Sequence, residues 1–109
     1  MQDLKEILDK LIPEFEKIFD GVLERIILYG SVARHTQTEE SDIDIALIVK
    51  GYTDEMYDSM IDVTVDLELE YGKILSVLLI DYDNFKDWED VLPFYKNVKA
   101  EGVVLWKVA

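Results

Sequence analysis

Apolar residues recur early in the chain in steps of three and four: Leu4, Ile7, Leu8, Leu11, Phe15, Ile18 and Phe19. That spacing puts them on one side of a helix, so 3–19 reads as an amphipathic helix. Pro13 interrupts the stripe. It lacks an N–H and crowds the preceding turn, and is expected to kink or split the helix. Asp20-Gly21 ends it as a turn. Residues 22–29 are rich in Ile and Leu and run into Gly30-Ser31. They read as a buried strand that stops at a glycine turn. A short helix then starts at 31–34, and the polar run 35–41 forms a loop. Residues 42–49, Asp-Ile-Asp-Ile-Ala-Leu-Ile-Val, form a second strand, polar on one face at its start and apolar beyond. Lys50-Gly51 turns the chain.

The stretch 54–71 carries two patterns at once. From Ile61 to Tyr71 apolar and polar residues alternate at every step, as in a strand. Met56, Met60, Val63, Leu67 and Tyr71 also form a helical stripe, and Asp54 and Glu55 suit a helix N-terminus. Val65 and Leu69 fit the helix poorly. The helix is the expected form, capped by Gly72. Residues 74–80 are nearly all apolar and read as a buried strand. Residues 83–90 form a short helix. Another spans 93–101, with Pro93 in its first turn and Gly102 at its end. A last short strand covers 103–106. Strands alternating with helices make an α/β domain.

Composition narrows the function classes. At 109 residues the chain has room for one domain, 1–109. Half of it is apolar, so it should fold rather than stay disordered. Eleven basic against 24 acidic residues give a net charge of −13. That excludes general nucleic-acid or anionic-membrane binding, which needs a basic face, and suits divalent cations or cationic partners. With no Cys there is no disulfide framework or thiolate zinc site, and one His excludes a multi-His metal centre. No apolar run reaches membrane-spanning length and no leader is evident, so a cytoplasmic location is expected.

One constellation carries chemistry: Gly30-Ser31-Val32-Ala33-Arg34, then Ser41-Asp42-Ile43-Asp44. A strand running into Gly-Ser at a helix start aims backbone N–H groups beyond the strand end, where an anion can sit. Gly30 permits close approach of a phosphate, Ser31 adds a hydroxyl, and Arg34 brings a forked cation. Asp42 and Asp44, two apart on a strand, point to the same face. Such a pair of hard oxygen donors suits Mg²⁺, which keeps waters and binds substrate phosphates. Together they read as a metal–nucleoside triphosphate site. Each piece alone is commonplace: a turn, a solvated strand edge, a surface cation.

These residues resemble the signature of the DNA polymerase beta-like nucleotidyltransferase superfamily, and more narrowly that of the minimal nucleotidyltransferases. The strong likeness covers 26–49. A looser one includes Pro93-Phe94-Tyr95-Lys96-Asn97-Val98 and Glu101-Gly102. The resemblance implies a small mixed β-sheet flanked by helices. It implies transfer of a nucleoside monophosphate, AMP from ATP above all, to a hydroxyl, with one or two Mg²⁺ ions. It places the triphosphate on Gly30 and Ser31, with Arg34 at the family's basic position, and metal and catalysis on Asp42 and Asp44. Minimal members often pair with an all-helical HEPN protein as the antitoxin of a toxin–antitoxin pair, and some modify a toxin tyrosine with AMP. A homo-oligomer is left open.

Two residues depart from the family pattern. His35 stands where the family usually has Gly, and is expected to tighten the loop, with a contact to substrate as the alternative. The later strand that carries a third carboxylate in active members has none here, and Ser76 takes the position. A neutral Ser cannot help hold a second metal or accept the attacking hydroxyl's proton. Asp81 has the wrong parity, and Asp66, Glu68 and Glu70 could reach the site only from a strand. The alternative reading is therefore a catalytically weak or inactive antitoxin-like subunit that masks its partner. A third is the separate substrate-binding half of a small-molecule nucleotidyltransferase. Tyr29 reads as packing at the strand end. The aromatics Phe85, Trp88, Phe94, Tyr95 and Trp106 read mainly as core, with a partner surface as the alternative. Asp81, Asp83, Asp87, Glu89 and Asp90 read as a solvated acidic face, with contact to a basic partner as the alternative.

Overall fold

The computed structural model describes residues 2–33 and 42–109, and the side chains of all of these but Gln2 and Ser31. The elements run α1 (Gln2–Ile18), β1 (Leu23–Tyr29), α2 (Gly30–Ala33), β2 (Ile43–Val49), α3 (Asp54–Tyr71), β3 (Leu75–Asp81), α4 (Tyr82–Trp88), α5 (Pro93–Glu101) and β4 (Val103–Lys107). The four strands form one mixed sheet in the order β3-β2-β1-β4. β1 is antiparallel to both β2 and β4, while β2 and β3 are parallel. A parallel pair needs a crossover, and α3 supplies it. This is the expected α/β class, a small mixed sheet flanked by helices.

Each strand's two faces feed a separate core. Ile43, Ile45, Leu47 and Val49 of β2 pack with Ile26 and Leu28 of β1 under α1 and α3, around Ile7, Leu11, Phe15 and Met60. Ala46 and Ile48 face the other way, with Ile27, Ile80, Phe85 and Val98, under α4 and α5. β2 is thus covered on both sides, which explains its nearly unbroken apolar run.

The contest over 54–71 is settled by the ends of the element. Thr53 Oγ1 accepts the Met56 N–H at 3.1 Å. Gly72 takes the left-handed conformation at φ 65°, and its N–H bonds the Glu68 carbonyl at 2.8 Å. A capped helix of 18 residues results. Val65 and Leu69, which fitted only the strand pattern, are left 42% and 79% exposed.

Pro13 corrects one expectation. α1 continues through it as a single helix and is not split. Pro13 is exposed, so the carbonyl that loses its partner lies on a side open to water. Smaller corrections concern boundaries. β3 runs on through Asp81, which also caps α4 by accepting the Asn84 N–H at 3.1 Å. α4 therefore begins at Tyr82 and ends at Trp88, before the acids Glu89 and Asp90.

Candidate functional site

Antiparallel pairing brings the end of β1 to the start of β2, and Tyr29 faces Asp44. Parallel pairing brings the start of β3 alongside, and Ser76 faces Asp44 from the other side. Tyr29, Asp44 and Ser76 therefore form one row across three strands. Their neighbours Ile27, Ala46 and Ile80, at alternate positions, pack under α4 and α5, so the row lies on that face.

Beyond Tyr29 the chain turns at Gly30 into the single turn α2. Gly30 has φ +76°, and its Cα faces the Asp44 carboxylate. A Cβ there would overlap Asp44 Oδ2 and lie 3.1 Å from Cγ. Glycine is required twice over, by conformation and by contact. Gly30, expected at a phosphate-binding turn, and Asp44, expected at a metal site, are brought together.

Asp42 precedes β2 and is exposed, while Asp44 inside the strand is half-buried. Ile43 between them is fully buried in the α1/α3 core, so its two neighbours project to the opposite side. The Ile43 N–H bonds the Ile74 carbonyl at 2.9 Å and anchors this end of the strand to β3. Ser31 lies in α2 directly after Gly30. Arg34 and His35 lie outside the described residues, as do Ser41 and the rest of 35–41, for which a loop was expected.

The donor set fits one Mg²⁺ held by two carboxylates and completed by waters and phosphate oxygens. Among the described residues no group of three or more His, Cys, Asp or Glu side chains could hold a metal ion. Asp81 pairs with Val49 at the far end of β3. Glu68 accepts the Leu75 N–H at 2.9 Å, and Glu70 pairs with Lys10 at 2.5 Å. α3 is a helix, so neither of these acids joins the row.

Tyr29 is more than strand-end packing. Its ring meets Phe94 edge-on, with centroids 5.7 Å apart. Burial holds its phenol above the usual tyrosine range, and the Asp44 carboxylate adds to the shift. Tyr29 and Gly30 line a cleft of about 210 Å³ with Phe94, Asn97, Val98 and Glu101 of α5. The end of α5 approaches β1 so closely that a Cβ on Gly102 would strike the Val98 carbonyl and Ile27. Periodicity and motif spacing give no hint that α5 walls the site. The one signal for it in the sequence is the looser family likeness over 93–98 and at Glu101-Gly102.

The aromatic set divides. Phe85 is buried, Tyr95 and Trp106 are partly buried against the two cores, and Trp88 and Phe94 are exposed. The acidic run divides as well, for Asp81 caps α4 while Glu89 and Asp90 both pair with Lys99, at 3.0 and 2.9 Å.

The family model for polymerase beta nucleotidyltransferases matches residues 9–108. The chain belongs to that family and is a transferase of that class. It is 36% identical over 105 residues to a protein from Methanocaldococcus jannaschii named as a protein adenylyltransferase, spanning 90% of this chain and 97% of the other. A second such protein from the same organism is 32% identical over 81 residues, covering 72% of this chain and 55% of its own length. Among solved structures, a toxin–antitoxin with AMP-PNP aligns with a TM-score of 0.60 at 24% identity, over 93% of this chain and 73% of the other. A tri-AMPylated Shewanella oneidensis HEPN toxin in complex with MNT antitoxin aligns with a TM-score of 0.57 at 21% identity, over 99% and 74%. At these identities the structural likeness speaks for the fold. No described helix is long and apolar enough to cross a membrane.

Proposed function

We infer that this chain transfers AMP from ATP to a hydroxyl on a partner protein. The observation that carries the reading is the packing of the Asp44 carboxylate against the Gly30 backbone. It sets the turn suited to phosphate beside a strand whose start bears two carboxylates. Relatives named as protein adenylyltransferases support the nucleotide and the acceptor class. The solved complexes support a HEPN-type toxin as the partner, with this chain as its antitoxin.

In this reading the Gly30 and Ser31 backbone holds the triphosphate, and Arg34 contributes a cation to it. Asp42 and Asp44 hold Mg²⁺, which when bound neutralises charge on the phosphates. The acceptor oxygen attacks the α-phosphorus. The new P–O bond replaces the bond to the β-phosphate oxygen, pyrophosphate leaves, and the hydroxyl proton passes to water or a carboxylate. Tyr29 and Phe94 wall one side of the cleft beside Gly30.

A second reading keeps the nucleotide site but makes the chain a slow or inactive masking subunit. The register of Ser76 opposite Asp44 favours it, because a hydroxyl occupies the place of the third carboxylate. Calorimetry of ATP with and without Mg²⁺, on the wild type and on Asp42→Asn/Asp44→Asn, tests the shared nucleotide site. Binding that requires both the metal and the two carboxylates supports it, and metal-independent binding overturns the assignment. Mass analysis of the partner after incubation with ATP then separates the readings. An added AMP marks a transferase, and an unmodified partner in a stable complex marks a masking subunit.

A further inference from the structure

α3 has two apolar sides. Met60, Thr64 and Leu67 are buried in the fold, and a second row stands in the open. Tyr57 is 43% exposed, Ile61 39%, Val65 42% and Leu69 79%. They recur at every fourth residue, so they form one continuous ridge along the helix rather than scattered single residues. Tyr52, also exposed, extends the ridge ahead of the helix, its ring centroid 6.3 Å from that of Tyr57. Each ridge residue is followed by an acid, so Asp58, Asp62, Asp66 and Glu70 make a parallel ridge of like charge. Carboxylates four apart on a helix repel, and the arrangement weakens the helix while nothing cationic covers it.

The charge is not balanced by its surroundings. α3 holds seven acids and no Lys, Arg or His. α1, packed beside it, adds five acids against three lysines. Lys5 and Lys10 of α1 are already paired, with Asp9 and Glu70. Flanking α3 in sequence, Lys50 pairs with Glu24, and Lys73 follows the cap Gly72. Among the described residues no Lys or Arg pairs with Asp58, Asp62 or Asp66.

We propose that the outer face of α3 docks a basic amphipathic helix of a partner protein. Its apolar row lies against Tyr57, Ile61, Val65 and Leu69, and its Lys or Arg side chains run along Asp58, Asp62 and Asp66. A ridge at every fourth residue is the shape that the groove of another helix accepts. Charge then selects among occupants. A second copy of this chain would set one acidic ridge against another, and nucleic acid or an anionic lipid surface would bring phosphates to it. A cationic occupant offsets the repulsion along the ridge. The surface is also separate from the reaction site. α1 and α3 cover one face of the sheet, and the row of Tyr29, Asp44 and Ser76 lies on the other. A partner on α3 therefore leaves that row open and is not the acceptor whose hydroxyl must reach Asp44. The docking face holds whether or not the chain is an active transferase.

The test uses a synthetic peptide of about four helical turns, with Leu at every fourth position, Lys beside each Leu and Ala elsewhere, titrated into the isotope-labelled full chain. Amide shifts should centre on 57–70. Val65→Ser/Leu69→Ser and Asp62→Asn/Asp66→Asn should each weaken binding about tenfold. A peptide with Glu in place of every Lys should not bind. Trp88→Ser/Val91→Ser, which trims exposed apolar residues at the end of α4, should leave binding unchanged. All the substituted residues are exposed, and an intact amide spectrum of each variant shows that it folds. Weakening by the charge variant alone would reduce the surface to a trap for any polycation and overturn the proposal. Shifts centred elsewhere, equal weakening by the α4 variant, or no binding would do the same. Self-association of the free chain that Val65→Ser/Leu69→Ser abolishes would give the face to a second copy instead.

Discussion

The Asp44 carboxylate occupies the space in which any side chain at position 30 would begin, facing the Cα of Gly30. Two segments separated in sequence by residues 34–41 are locked together by the absence of one methyl group. Gly30→Ala must leave the positive-φ conformation or push Asp44 aside. It should cost about 2–4 kcal/mol, combining left-handed strain and overpacking. Urea unfolding checks the loss. ATP affinity should fall with it, because either relaxation moves the turn away from the carboxylate. An unchanged midpoint with unchanged affinity would remove Gly30 from the site.

The two carboxylates should be separable from the fold. Asp42 is exposed and Asp44 half-buried at one end of β2, whereas the strand is held by Ile43, Ile45, Leu47 and Val49 beneath it. Asp42→Asn/Asp44→Asn keeps shape and most hydrogen-bonding capacity while removing both negative charges. The variant should melt as cooperatively as the wild type and lose Mg²⁺-dependent ATP binding. Calorimetry and thermal unfolding on the same samples read both effects. An unfolded variant would make the pair structural.

The parts legible in the sequence were those in which one local pattern had no rival. Gly30-Ser31 after an apolar strand, and Asp42-Ile43-Asp44 opening the next, gave the turn and the strand that carry the candidate site, because turn chemistry and strand parity act over a few residues. The helical stripe of 54–71 competed with strict alternation, and only Thr53 and Gly72 at its two ends decide between them. Pro13 does not split α1 because its cost depends on which side of the helix faces water, which is a tertiary fact. The contact of Phe94 with Tyr29 joins residues 65 positions apart by a register that no short pattern encodes. For the same reason the aromatic third could not be divided into core and surface from composition.

Ser76 gives the transferase reading a gain-of-function test. It faces Asp44 directly across the parallel pair and is exposed, so an acid there needs no repacking. Ser76→Asp brings a third carboxylate to the row and should tighten Mg²⁺-dependent ATP binding. Without metal the added like charge should destabilise the fold slightly, by about 0.5–1 kcal/mol at this exposed position. Added Mg²⁺ should reverse that loss, as binding to the native state alone must. Melting curves with and without Mg²⁺, beside AMP transfer to the partner, check both arms. If the metal fails to restore stability, Ser76 does not stand at the third-acid position.

Tyr29 reports on Asp44 through its titration. Burial is the larger cause of its raised pKa and the Asp44 charge the smaller. Asp44→Asn should therefore lower the Tyr29 pKa without returning it to the ordinary value, since burial remains. The phenol is held protonated more strongly in the folded chain than in the unfolded one. Its stabilising contribution is fully present below about pH 10, the ordinary tyrosine value. It is lost as pH rises through the higher folded value. Lys5, Lys10, Lys50 and Lys99 are also raised, chiefly by hydrogen bonds to carboxylates. Alkaline loss of stability is thus not specific to Tyr29, and the measurement must be differential. Phenolate absorbance of the wild type minus that of Tyr29→Phe isolates this one phenol, and the same difference in the Asp44→Asn background isolates the carboxylate. An identical Tyr29 titration in both backgrounds would show that the cross-strand neighbours do not feel each other's charge, and that the row across β1 and β2 is looser than its register implies.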